Sequence, residues 1–272
     1  MDNRPIGIFD SGVGGLSAAA ELTRLAPNES FVYFGDTLRA PYGDRTPEEI
    51  KAFSRRNARF LRSQDIKALI VACNTSTANA MAELSADNAD IPVVGTIAPT
   101  SRTAAEASAG GNIGVLATGA VVRKGSYEKA ILETLPGAHV TQIACPKLVP
   151  LIESGHTEKD DPALIAALEE YLAPMKAAGV DTLVLGCTHY PLVRGAVLAV
   201  MERQLPLIDS GGACAGAILS ALSGKNALAA PLHTRREVYY CSAGKAAFTS
   251  VAQGFLGRSI ACLTEELDVE GY

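Results

Sequence analysis

The sequence predicts an α/β protein made of two pseudo-symmetric αβα sandwich domains with mostly parallel sheets. Three observations lead there. Short apolar runs that stop abruptly at Gly, Asp, Asn or Thr read as buried strands. They alternate with Ala- and Leu-rich stretches of helical length, the pattern that builds parallel sheets covered by helices. The pattern begins again from Pro99, and two of its matches share one offset of 114 residues.

Residues 4–9 form a short strand, and Asp10-Ser11-Gly12-Val13-Gly14-Gly15 a glycine-rich turn before a helix over residues 16–25. Such a turn exposes backbone N–H groups at a helix start and favours an anion. Its glycines match Gly-x-Gly-x-x-Gly only loosely, and Asp10 would set a carboxylate against phosphates, so a nucleotide site is discounted. Residues 31–35 form a second strand ending in Asp36, followed by a turn-rich loop over 39–44. Thr46-Pro47-Glu48-Glu49 opens a helix that runs to about Arg62, with threonine as N-cap, proline first and acids in the first turn. The strand over 68–72 ends on Cys73-Asn74-Thr75-Ser76, an alanine-rich helix follows, and Pro92-Val93-Val94-Gly95 comes next.

In the second half, residues 112–119 repeat the strand and turn, and 121–135 read as one helix. A strand over 140–144 and a short apolar segment over 148–153 come next, then a helix from Asp161-Pro162 to about Ala178. The apolar run Leu183-Val184-Leu185-Gly186 ends on Cys187-Thr188-His189-Tyr190-Pro191, with a helix expected over 191–204. Residues 213–222 read as a helix and 237–240 as a strand. This last stretch has no counterpart between the repeats and is expected to return to the first half. The expected domains are therefore 1–97 with 210–272, and 98–209.

Composition removes several classes of function. At 272 residues and 48% hydrophobic, the chain can bury a sizeable core. A net charge of −5 without a strong basic cluster argues against nucleic acid as the main partner. Arg55, Arg56, Arg59 and Arg62 read as the solvated face of an amphipathic helix. No apolar run approaches a membrane span and no signal core opens the chain, so a cytoplasmic protein without membrane association is expected. The six cysteines, 73, 145, 187, 214, 241 and 262, are too dilute for a disulfide scaffold. None forms Cys-x-x-Cys, so no metal site is expected.

Packing does not demand a cysteine at the same strand end in both repeats. Cys73 and Cys187 occupy that place, each followed by polar residues. Cys145, Cys214, Cys241 and Cys262 read as buried small hydrophobes. Two similar domains facing each other would bring Cys73 and Cys187 to opposite walls of one cleft, where an active site is expected. Paired thiols suit inversion of a carbon centre, with a thiolate removing a proton on one face and a thiol returning one on the other. Each needs a group to hold or move a proton. Asp10 serves Cys73 and His189 serves Cys187, although Asp10 also fits a helix N-cap and His189 a loop-orienting histidine. A substrate carboxylate would meet N–H groups and hydroxyls of Ser11, Asn74, Thr75 and Thr188.

These motifs carry a resemblance that spans nearly the whole chain. They are residues 8–16, 36–43, Ala72-Cys73-Asn74-Thr75 and 185–191, with Ile208-Asp209-Ser210 and Pro150-Leu151-Ile152-Glu153. The chain resembles the cofactor-independent aspartate/glutamate racemase superfamily, and within it the bacterial glutamate racemases. The resemblance implies Cys73 and Cys187 as the two catalytic bases, assisted by Asp10 and His189. It implies substrate contacts at Asp10, Ser11, Pro41, Tyr42, Gly43, Asn74, Thr75, Thr118, Thr188 and His189, with Asp36 and Glu153 in support. It further implies D-glutamate production for peptidoglycan without pyridoxal phosphate, metal or nucleotide; a homodimer is expected. One departure is visible: the family pattern after Cys-Asn is Thr-Ala-Ser or close to it, and here it is Thr75-Ser76-Thr77. Serine keeps the residue small, so little consequence is expected. A cysteine hydrolase would leave Cys73 dispensable, an amino-acid binding protein would need neither thiol, and a racemase of another acidic or hydantoin-type substrate fits the same motifs.

Overall fold

The computed structural model describes residues 1–268. The chain begins with β1 (Ile6–Asp10), α1 (Leu16–Leu25), β2 (Phe31–Gly35), α2 (Pro47–Ser63), β3 (Ala68–Val71), α3 (Asn74–Asp87) and β4 (Val93–Gly95). It continues with α4 (Ile97–Ala107), β5 (Asn112–Ala117), α5 (Gly119–Lys124), α6 (Ser126–Thr134), β6 (His139–Ala144), α7 (Leu148–Glu153), α8 (Pro162–Ala177), β7 (Thr182–Gly186), α9 (Arg194–Met201) and β8 (Leu207–Asp209). It ends with α10 (Ser210–Gly224), β9 (Glu237–Cys241), α11 (Lys245–Leu256) and β10 (Thr264–Glu266). Two compact units result, residues 1–96 with 211–272 and residues 97–210.

The first unit is built on a six-stranded parallel sheet in the order β10-β9-β2-β1-β3-β4. Side chains alternate across a strand, so each face of the sheet gathers its own core. Ile6, Ile8, Tyr33 and Ile70 pack with Leu16 and Leu22 of α1, Ile218 and Leu222 of α10, and Phe248 of α11. Phe9, Phe34, Leu69 and Val71 pack on the other face with Phe60 and Leu61 of α2 and Leu84 of α3. Helices on both faces make this unit a three-layer sandwich. The Thr46–Glu49 capping box starts α2 as its sequence predicts, with Glu49 N–H donating to Thr46 Oγ1 at 3.2 Å and Thr46 N–H to Glu49 Oε2 at 2.9 Å. The basic face of α2 is exposed and paired: Lys51 with Glu83, Arg55 with Asp87 and Arg62 with Asp90.

The second unit has a four-stranded parallel sheet in the order β6-β5-β7-β8. This repeats the β2-β1-β3-β4 order of the first unit. The register repeats too: Phe9 pairs with Val71 and Leu116 with Leu185. Leu116, Leu183 and Leu185 pack with α7, α8 and α9 through Ile152, Leu168, Leu172 and Val197. On the other side α4 packs against β7 and α6.

Four local readings are corrected. The helix expected over 121–135 is broken at Gly125, whose φ of +62° is left-handed, so α5 and α6 are separate. The helix expected over 191–204 is a 3₁₀ turn over Tyr190–Val193 and then α9, which stops at Glu202 with φ +56°. Asp10 is the last residue of β1 rather than the first of the turn, because β1 pairs with β2 through Asp10–Gly35. Cys262 is exposed, on a 3₁₀ turn over Ala261–Leu263 where no sheet face covers it, whereas Cys145, Cys214 and Cys241 are buried. The sequence reading also left out α4, α11 and β10.

Candidate active site

Parallel strands present their carboxyl ends at one edge of a sheet, and the loops there carry ligand chemistry. In the first unit that edge gathers Asp10, Asp36 and Cys73. Asp10 is buried, and its Oδ2 accepts from the N–H groups of Gly12 at 3.2 Å and Gly15 at 3.1 Å. Gly15 is required for this approach, since a Cβ there would lie 2.6 Å from Asp10 Cβ and 2.9 Å from Ala72 Cβ. The aspartate therefore holds the turn from the end of β1, while the N-cap of α1 is Gly15 with no side-chain cap, so the N-cap reading of Asp10 is not met; its charge also acts on Cys73.

Cys73 is buried at the N-cap of α3, where its sulfur accepts from the Ser76 N–H at 3.4 Å. The thiol lies 3.5 Å from the Ser11 hydroxyl. Burial pushes the thiol up to about 11, and the Asp10 charge adds to this; its hydrogen bonds with Ser76 and Ser11 act in the opposite direction. At neutral pH Cys73 is a thiol. Asn74 and Thr75, in the first turn of α3, are buried beside it.

Asp36, fully buried, anchors the following loop. Arg39 Nη1 reaches its two oxygens at 3.0 and 3.1 Å, Tyr42 donates to Oδ2 at 2.5 Å, and Ser242 donates to Oδ1 at 2.9 Å. Asn57 of α2 donates to the Tyr42 hydroxyl at 3.1 Å. Tyr42 and Gly43 lie in a 3₁₀ turn over Tyr42–Asp44, behind Pro41 and its cis peptide bond with Ala40. The Tyr42 ring is thus buried and its hydroxyl is spent on Asp36, so its backbone is what this turn has to offer a ligand. Arg39, Asn57 and Ser242 were not singled out from the sequence. Arg39 stands in a quoted motif, but Ser242 lies 206 residues from its partner with no local signal.

In the second unit the same edge gathers Cys187, Thr188 and His189, all buried, after β7. Cys187 Sγ is 3.8 Å from His189 Nδ1, and His189 Nε2 is 3.0 Å from Glu153 Oε1 at the end of α7. The bond to His189 holds the Glu153 carboxyl below the usual carboxylate range. With Glu153 accepting from Nε2–H, Nδ1 faces the sulfur and can take or return its proton. Thr118, half-buried, is the N-cap residue of α5. By the strand registers, Ala117 occupies the place of Asp10. The second thiol therefore draws its partner from its own loop, not from the neighbouring strand. Among the described residues, no group of three or more His, Cys, Asp and Glu side chains is arranged to hold a metal ion.

The chain is similar to known racemases. The family profile for Asp/Glu/Hydantoin racemase matches residues 14–218. The glutamate racemase of Streptococcus equi subsp. equi (strain 4047) is 41% identical over 262 residues, covering 96% of this chain and 97% of that protein. A glutamate racemase isoform from Bacillus anthracis superposes with a TM-score of 0.92 at 34% identity over 98% of both chains. The glutamate racemase of Francisella tularensis subsp. tularensis SCHU S4, solved in complex with D-glutamate, gives 0.91 at 30% identity over 100% of both. Sequence identity, structural similarity and matched length agree that the chain belongs to the Asp/Glu/Hydantoin racemase family.

Proposed function

We propose that this protein interconverts L- and D-glutamate without a cofactor, by deprotonation on one face of the α-carbon and reprotonation on the other. Cys73 and Cys187 are the two acid–bases. One observation carries the reading: two buried thiols stand at equivalent strand ends of two sheets with the same strand order, Cys187 beside the His189 imidazole and Cys73 under the charge of Asp10. The relatives' glutamate chemistry supports the choice of substrate, including the solved complex with D-glutamate.

In this account one cysteine, as thiolate, takes the α-proton and becomes a thiol. The other, as thiol, gives its proton to the opposite face and becomes a thiolate. Reversal of the roles gives the reverse reaction. His189 moves the proton of Cys187, held in place by Glu153. Asp10 raises the proton affinity of Cys73 and keeps it a thiol until a cationic substrate ammonium arrives to offset that charge. N–H groups and hydroxyls of Ser11, Asn74, Thr75, Thr118 and Thr188 bind the carboxylates, together with the backbone of Pro41, Tyr42 and Gly43. The α-proton is very weakly acidic, so preorganised donors that meet the developing negative charge supply most of the stabilisation.

The product would supply peptidoglycan synthesis. We place the protein in the cytoplasm as a homodimer; among the described residues no helix is long and apolar enough to cross a membrane. The test is incubation with L-glutamate in deuterated water without added cofactor. Optical rotation should decay while deuterium enters the α-carbon. A folded protein that produces neither change would overturn the reading.

A further inference from the structure

The glycine-rich turn that follows Asp10 rests on β2, and β2 is shaped to receive it. Alternate residues of a strand share one face, so Tyr33 and Gly35 point to the same side of the sheet. On that side the Tyr33 hydroxyl donates to the Gly12 carbonyl at 2.8 Å. Two residues on, a Cβ at Gly35 would lie 2.5 Å from the same oxygen, so the carbonyl can settle there only because Gly35 has no side chain. The hydroxyl also lies under the far end of the turn, 3.1 Å from where a Cβ of Gly15 would stand. Tyr33 is fully buried, and its ring packs against Phe248 and Tyr239 with centroids 6.1 and 6.4 Å away. Gly12 is buried too, and the tyrosine supplies the donor that its carbonyl needs. The Gly12 N–H meanwhile donates to Asp10 Oδ2 at 3.2 Å, and the Gly15 N–H joins it at 3.1 Å. Ser11, just before Gly12, stands 3.5 Å from the Cys73 sulfur.

We propose that Tyr33 is a positioning residue for proton transfer at Cys73: its hydroxyl fixes the turn that brings Ser11 to the sulfur and two amides to Asp10. The inference rests on the reading of Cys73 as an acid–base. Fully buried beneath the turn, Tyr33 acts on the reaction only through it. A buried carbonyl is costly to leave without a donor, so a turn that lost the hydroxyl would shift to find another. Ser11 and the Gly12 nitrogen belong to one planar peptide group, so the shift would carry both away together. The contact with Cys73 and a hydrogen bond to Asp10 would loosen at once. Burial pushes the Tyr33 phenol well above its ordinary range, so it keeps the proton that it donates. A phenylalanine ring would fill the same space without that proton, which separates the hydrogen bond from the packing.

The test compares Tyr33→Phe with the unsubstituted full chain on L- and D-glutamate carrying deuterium at the α-carbon. The variant should fold, with unchanged circular dichroism. Its kcat should fall by roughly tenfold or more with KM little changed, because small displacements at a reacting group have effects of that order. Only the transfer at Cys73 slows. The α-deuterium isotope effect should therefore rise in the direction in which Cys73 removes the proton and fall in the direction in which Cys187 removes it. Gly35→Ala keeps the hydroxyl but crowds the same carbonyl, and should give the same divergence. A tyrosine that only supports the fold would lower the thermal unfolding midpoint and leave kcat and both isotope effects in place. An unaltered kcat, or isotope effects that do not diverge, in either folded variant would overturn the proposal. Racemisation of glutamate by Cys73→Ala itself would instead overturn the two-cysteine reading, so the two failures are distinct.

Discussion

His189 Nε2 and Glu153 Oε1 lie 3.0 Å apart, and the same imidazole presents Nδ1 to Cys187 at 3.8 Å. The carboxylate fixes which nitrogen carries the proton, and so what the thiol meets. Glu153→Gln should lower kcat by roughly tenfold or more with a small effect on KM, because partners that orient a functional histidine have effects of about that size. The pH–rate profile checks this. Glu153 has a depressed carboxyl, so the support it gives His189 is present above the ordinary carboxylate range and is lost as pH falls through its lowered value. The acid limb should weaken in the variant.

The Asp36 cluster predicts a stability effect. Asp36→Ala leaves Arg39, which is only 13% exposed, without its carboxylate, at a cost of about 3–5 kcal/mol. Tyr42→Phe removes one hydrogen bond to that carboxylate and should cost about 1.5–3 kcal/mol. Denaturant unfolding measures both. KM for glutamate should rise in each, since the loop over residues 39–44 loses its anchor.

Burial determines the alkaline behaviour. Cys73 titrates near 11 in the fold against an ordinary 9.0, so its contribution to stability is complete below 9.0 and is lost as pH rises through 11. Two units correspond to at most about 2–3 kcal/mol. The unfolding free energy of Cys73→Ala should fall less steeply across that window than that of the unsubstituted protein.

Much of the fold was legible because breakers bound its strands. Gly35 and Gly186 mark real strand ends, the Cys73-Asn74 step marks the start of α3, and equivalent cysteines marked the candidate site. Gly125 ended a helix that composition alone would have continued, because only its left-handed φ shows the break. β10 is three residues, Thr-Glu-Glu, at a sheet edge with two of them exposed, so it carries no apolar alternation to read. The Ser242–Asp36 and Ser54–Ser76 bonds join residues whose proximity exists only after folding.

Cys145 separates the proposed pair from a merely cysteine-rich interior. It is buried near Cys187, and burial drives its thiol far above the ordinary range, so it cannot serve as a ready base. Cys145→Ala should keep racemisation and lose roughly 1 kcal/mol of stability for the missing sulfur.

The central claim is that two thiols, not one, carry the reaction. The direct measurement is the rate of racemisation, from both L- and D-glutamate, by Cys73→Ala and Cys187→Ala proteins whose circular dichroism matches that of the unsubstituted chain. The account predicts loss of racemisation in both directions for each variant. Racemisation at an undiminished rate by either one would contradict it.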